Sequence, residues 1–296
     1  MNRLKANILL LITALIWGTA FVAQHTSMEN IGPYYFTGIR FTLGGLVVLP
    51  LALRELSKYR QRGAEVSLKD WLGMALCGVF IFTASITQQI GISMTSVTNA
   101  GFLTGLYVPL VPLMLLVFWR KLPHWSIWPS VVGCMVGTYY LSGGNLSGLS
   151  TGDFWMMVSA IFWAAQIITV GFVVRNCSTP VMLASTQFLV CGMLGLTGGL
   201  IFEEFSMANV MAAGFEIFYA GVLSVGIAFT LQAVAQTYTG QADAAIIMSG
   251  ETLFAALAGA IILGERLPVE GYFGAAIMFI SILSVELLPL WRRKTA

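Results

Sequence analysis

Ten apolar runs, each about as long as a lipid bilayer is thick, govern what this chain can fold into. They cover Leu4–Gln24, Tyr34–Leu53, Trp71–Ile90, Val97–Trp119, Trp125–Leu141, Phe154–Val174, Val181–Phe202, Phe215–Val234, Ala242–Leu263 and Val269–Leu290. The hydrocarbon core is about 30 Å deep and a helix rises about 1.5 Å per residue, so about 20 apolar residues make one crossing. Only closed hydrogen bonding survives in lipid, which makes each run a helix. The gaps between runs are short and carry turn residues such as Gly32-Pro33, Ser142 to Asn145, Thr179-Pro180 and Gly240. Only Arg54 to Asp70 is long. The expectation is an all-α integral membrane protein of ten transmembrane helices, with no separate soluble domain.

Charge supports this reading. Of the 296 residues only 9% are charged, against about 25% in a soluble domain. A soluble enzyme, a disordered chain and a nucleic-acid binder are excluded. Cys77, Cys134, Cys177 and Cys191 form no C-x-x-C pair and read as small hydrophobes. Basic loops stay in the cytoplasm. With the N-terminus inside, 13 of the 15 Lys and Arg residues fall on that side. Both termini are therefore expected to be cytoplasmic.

The two halves resemble each other. Thr13 and Trp17 match Ser159 and Trp163 at a shift of 146. Pro33, Phe41, Phe82-Thr83, Ser85 and Gln89 match Pro180, Phe188, Phe229-Thr230, Gln232 and Gln236 at a shift of 147. Gly105 matches Gly250, and Leu122-Pro123 matches Leu267-Pro268, at 145. Residues 1–146 and 147–296 are thus expected to be two five-helix repeats. Five is odd, so the second repeat enters the membrane from the opposite side. Such a 5+5 inverted-topology repeat suits alternating access around a central cavity.

Polar side chains within spans mark where a solute could bind, because they turn from lipid towards the bundle interior. Residues four apart share a helix face. Trp17, Gln89, Trp163, Gln232 and Gln236 lie on such repeat-matched stripes. Asn99 and Tyr107 add a fourth span, and Gln187 is the repeat mate of Arg40. Lone Ser and Thr residues more often bond their own helix. Arg40 and Glu251 are the sharpest candidates, since a charge at membrane depth costs about 2.5–3.5 kcal/mol on insertion scales. Either they pair, or Glu251 binds a proton or cationic group while Arg40 holds structure or a carboxylate. Arg40 itself cannot release a proton. Spans 5 and 10 carry few polar residues and are expected at the periphery.

These residues also resemble a family. Ala14 to Phe21 (ALIWGTAF), Gly38-Ile39-Arg40-Phe41, Ser249-Gly250-Glu251-Thr252 and Gly264-Glu265-Arg266-Leu267 are similar to stretches of bacterial drug/metabolite transporters of the EamA type. The family usually has proline where this chain has Thr252. The resemblance implies a ten-helix carrier of small metabolites such as amino acids, often an exporter, in the bacterial cytoplasmic membrane. The expected partners are a small-molecule solute, the lipid bilayer and a coupling proton, with a homodimer admitted. No cofactor, metal or catalytic residue is expected. A flippase for a lipid or lipid-linked sugar is the alternative on the same fold. A membrane enzyme is a remote third, since His25 and His124 sit near span ends and no H-E-x-x-H or G-x-S-x-G is present.

Overall fold

The computed structural model describes residues 1–121, 125, 127–141, 150–264, 266 and 269–293, without the side chains of Asn99, Leu141 and 285–293. The Leu122-Pro123 and Leu267-Pro268 match, the Ser142 to Asn145 turn, His124 and Glu265 lie outside those residues. Everything regular among the described residues is helical. In chain order the helices are α1 (Arg3–Ser27), α2 (Pro33–Gln61), α3 (Leu68–Ile92), α4 (Val97–Thr104), α5 (Tyr107–Trp119), α6 (Ile127–Leu141), α7 (Thr151–Cys177) and α8 (Pro180–Phe202). Then come α9 (Met207–Ala212), α10 (Gly214–Phe218), the π-helix π1 (Tyr219–Phe229), α11 (Thr230–Gln236), α12 (Gln241–Met248), α13 (Gly250–Ala258), the π-turn π2 (Gly259–Leu263) and α14 (Val269–Arg293). Eight helical segments are long and apolar enough to cross a membrane. Helix α6 is shorter, at 15 residues, and the Val269–Ser284 part of α14 is a shorter apolar stretch.

The sequence expected one long connector from Arg54 to Asp70, but α2 runs on to Gln61. Nothing in that stretch breaks a helix until Gly63, which adopts φ +77°. A capping box, Ser67 with Asp70, then starts α3.

Two expected single spans are broken in the middle. Span 4 divides into α4 and α5 at Gly105-Leu106. Pro109 has no N–H for the Gly105 carbonyl and its ring crowds that group, so the ladder cannot continue. Span 9 divides at Ser249, whose hydroxyl donates to the Ile246 carbonyl at 2.6 Å while Thr252 N turns back to the Ser249 carbonyl at 3.0 Å. The two breaks fall where the matched Gly105 and Gly250 lie. The half-helices touch: Thr252 Oγ1 donates to Gly101 O at 3.0 Å.

Span 8 is widened rather than broken. Side chains from α1 bond carbonyls of π1: Thr13 Oγ1 to Ala228 O at 3.1 Å and Trp17 Nε1 to Ser224 O at 3.4 Å. Thr230 Oγ1 takes the Gly226 carbonyl at 2.6 Å. Such insertions relieve a helix of its own hydrogen bonds, and π-turns cluster at functional sites.

The packing is closest where glycine allows it. Helices α2 and α8 lie against each other through Gly38 and Gly195, where a Cβ on Gly195 would sit 2.7 Å from Gly38 Cα. Each also caps the other. Glu203, after α8, accepts from Tyr34 N at 2.8 Å and Tyr35 N at 2.9 Å in the first turn of α2. Glu55, late in α2, accepts from Met182 N at 2.8 Å in the first turn of α8. Helices α6 and α14 pair apart from the centre, through Ser130 and Ser284 at 2.7 Å and a Gly137 face against Gly274 and Met278. The remaining contacts run in matched pairs: α1 on α13 and α7 on α4–α5, α1 on π1–α11 and α7 on α3, α2 on π1 and α8 on α3.

Candidate functional site

A narrow cavity lies within this packing, lined by helices from both ends of the chain. Helix α1 gives it Trp17, Phe21 and Gln24, α2 gives Arg40 and Phe41, and α3 gives Ser85 and Gln88. Thr104 ends α4 and Tyr107 starts α5, so the first break opens onto the cavity. Helix α7 gives Trp163, Gln166 and Ile167, π1 gives Ser224 and Phe229, and α13 gives Glu251 from its first turn. The second break therefore opens onto the same space. Aromatic rings and convergent polar groups share the lining, the mixture found in small-molecule sites.

The aromatic wall has one hub. The Phe229 ring lies 4.4 Å from Trp17, stacks on Trp163 at 5.7 Å, and is 6.0 Å from both Phe41 and Phe188. Trp163 Nε1 and the Tyr107 hydroxyl have no hydrogen-bond partner within 3.5 Å, though Tyr107 interacts electrostatically with Glu251.

Arg40 is 3% exposed and Glu251 4%. Of the two alternatives, pairing is not what the structure has: among the described residues neither makes an ion pair within 4.0 Å. Arg40 is held instead between the rings of Phe36 and Phe41, with its guanidinium carbon 4.9 and 5.2 Å from their centres. Rings attract a cation but do not neutralise it. Arg40 Nε is left without a partner. Glu251 is seated by close backbone packing, since a Cβ on Gly18 of α1 would sit 2.7 Å from the Glu251 carbonyl.

The cavity thus gathers Trp17, Arg40, Tyr107, Trp163 and Glu251 of the residues singled out from sequence. Gln187, Gln232 and Gln236 lie beside it in an amide chain. Gln166 Nε2 donates to Gln187 Oε1, Gln232 Nε2 donates to Gln166 Oε1 and to Gln236 Oε1, each at 3.1 Å, and Gln236 Nε2 donates to Ile167 O at 2.9 Å. Gln89 in the first half also donates to a backbone carbonyl, Nε2 to Gln24 O at 2.8 Å. The Asn99 side chain is outside the described residues. Phe21, Gln24 and Gln166 line the cavity and were not singled out. They continue the Trp17 and Trp163 faces at three- to seven-residue steps, a helical stripe that reading only the matched pairs overlooks. The four cysteines are buried free thiols, as expected, and no His/Cys/Asp/Glu cluster among the described residues could hold a metal.

Comparison with known proteins adds to this geometry. The model of the EamA-like transporter family matches residues 4–143 and again 150–287. An uncharacterised transporter of Archaeoglobus fulgidus is 30% identical over 292 residues, which cover 97% of this chain and 87% of that one. An S-adenosylmethionine/S-adenosylhomocysteine transporter of Chlamydia trachomatis is 23% identical, over 91% of this chain and 85% of its own. A crystal structure with 16% identity superposes with a TM-score of 0.76 over 99% of both chains, which shows a shared fold.

Proposed function

The chain belongs to the EamA-like transporter family, and from that premise we propose that this multi-pass membrane transporter is a secondary carrier of small metabolites. It works by alternating access about the central cavity, between two inverted five-helix repeats, residues 1–146 and 147–296. The observation that carries the proposal is the pair of buried, unpaired ionisable groups, Arg40 and Glu251, facing one aromatic cavity lined from both halves. Ionisable groups at membrane depth with no ion-pair partner among the described residues are candidates to bind a ligand or proton. The matched helix pairings and the two broken spans support the repeat, since interrupted helices in corresponding positions accompany midplane binding sites. Export across the bacterial cytoplasmic membrane, with both termini cytoplasmic, is the direction and placement that the family and the basic loops favour.

Glu251 is the switch in this scheme, since a carboxylate can take and release a proton whereas Arg40 cannot. The Chlamydia relative is named for a solute bearing an amino-acid group and an adenine ring, and an aromatic cavity with both charge signs suits solutes of that kind. The test is transport in proteoliposomes with a pH-sensitive dye inside, screened against amino acids, nucleosides and their conjugates. Solute-dependent proton movement that Glu251→Gln abolishes is the expected result. Phospholipid scrambling with no solute movement would replace the carrier by a flippase.

A further inference from the structure

The two halves treat the same three positions differently. In the second half, Gln187 of α8 and Gln232 of α11 are bridged by the carboxamide of Gln166 from α7, which accepts from Gln232 and donates to Gln187. The repeat mates of Gln187 and Gln232 are Arg40 and Ser85, at the shift of 147. The mate of Gln166, at the shift of 146 that relates Trp17 to Trp163, is Ala20. Ala20 is fully buried and has no polar atom to offer. The contact below is displaced by about one turn: Gln89 donates to the Gln24 carbonyl and Gln236 to the Ile167 carbonyl, whose mate at the shift of 146 is Phe21. The first half thus offers the two flanking positions but lacks the bridging amide.

In the second half Gln187 Nε2 and Gln232 Oε1 are also unbonded, but each amide is held through its other atom. In the first half Arg40 Nε and Ser85 Oγ are both buried and unbonded, neither side chain makes another hydrogen bond among the described residues, and both residues line the cavity. An unmet buried donor costs about 1–3 kcal/mol, so a site that keeps two of them is built to be completed. A carboxylate has the planar shape and size of the carboxamide it would replace. It accepts at both oxygens, which suits a frame whose amide-accepting Gln187 has become a donating, fixed cation. We propose that the carboxylate of the carried solute binds between Arg40 and Ser85, in the place that Gln166 fills in the second half. The site is then an anion subsite confined to one half of the cavity. The inference rests on the carrier reading only in taking its ligand to be the solute, and it is tested by binding.

The experiment uses the full chain in detergent and matched acid and amide probes. These are L-phenylalanine with L-phenylalaninamide, and 3-phenylpropanoate with 3-phenylpropanamide, with inorganic phosphate and sulfate alongside. Thermal stabilisation and the fluorescence of Trp17 and Trp163 report binding. The acids should bind and their amides should not. Arg40→Gln should weaken acid binding at least about tenfold, the loss of one charge-assisted hydrogen bond. Arg40→Lys should retain part of it. Ala20→Gln, which supplies the missing amide internally, should also compete with the acids. Acids and amides that behave alike in the unmodified protein, including no binding by either, overturn the proposal. So does undiminished acid binding in Arg40→Gln. Preference for phosphate or sulfate overturns the carboxylate assignment. Should Arg40→Gln fail to fold, the unmodified protein and Ser85→Ala decide the matter. Solute movement in proteoliposomes without an acid preference would leave the carrier standing and remove this subsite alone.

Discussion

Glutamines do two jobs here, and their partners tell the jobs apart. Gln232 donates to two neighbouring amides and joins α7 to α11, so Gln232→Leu strands Gln166 Oε1 and Gln236 Oε1. Interhelical bonds of this kind contribute about 0.6–2 kcal/mol each in membranes. We expect a lower melting temperature in detergent with solute affinity changed far less, read by thermal unfolding beside a binding titration. Glu251→Gln should do the reverse. Its carboxylate makes no ion pair to lose, so stability should hold while transport loses its dependence on the pH gradient. Normal stability together with normal, pH-dependent transport would remove the carboxylate from the mechanism. The sequence told these residues apart only in part. Arg40 and Glu251 stand out because charge at membrane depth is rare. Gln166 carries no such mark, because an amide that bridges two others looks like any other polar residue until its neighbours are placed.

At the scale of the helix, the breaks in α4–α5 and α12–α13 open onto the cavity. The sequence located both spans but showed them whole, because hydropathy reports burial and is blind to a missing hydrogen bond. Pro109 was the local cue for the first break. The second has no proline and comes from the Ser249 hydroxyl and a tightened turn, which composition does not show. If Pro109 is the cause, Pro109→Ala should let α4 run into α5 and draw Tyr107 out of register. The expected outcome is solute affinity reduced about tenfold or more with helicity by circular dichroism undiminished, because misplacing a ligand-facing side chain weakens binding without unfolding the bundle. Glycine contacts give a prediction of opposite kind. Any side chain at Gly195 meets the Gly38 backbone, so Gly195→Val should force α2 and α8 apart. That is a large loss of stability of the sort seen on overpacking, about 1–3 kcal/mol or more, and size-exclusion chromatography should show little monodisperse protein.

Across the whole molecule, collinear matches point to a repeat but do not say how its helices pair. A shift of about 147 residues says which helices correspond, not that α2 lies on α8 or α6 on α14. The reciprocal caps between α2 and α8 bear on how such a chain is made. The first-turn N–H groups of Tyr34 and Tyr35 wait for the carboxylate of Glu203, which leaves the ribosome only after α3 to α8 have been made. Helix α8 starts with its own partner, Glu55, already synthesised. The first half is therefore born incomplete, while the second meets its cap on arrival. Expressed alone, residues 1–146 should be cleared by membrane proteolysis, and co-expression with residues 147–296 should rescue both, as immunoblots of the membrane fraction would show. In the intact chain, Glu203→Gln should slow maturation more than Glu55→Gln in a pulse-chase experiment, because only the former prolongs the interval in which a finished helix has no partner for its end.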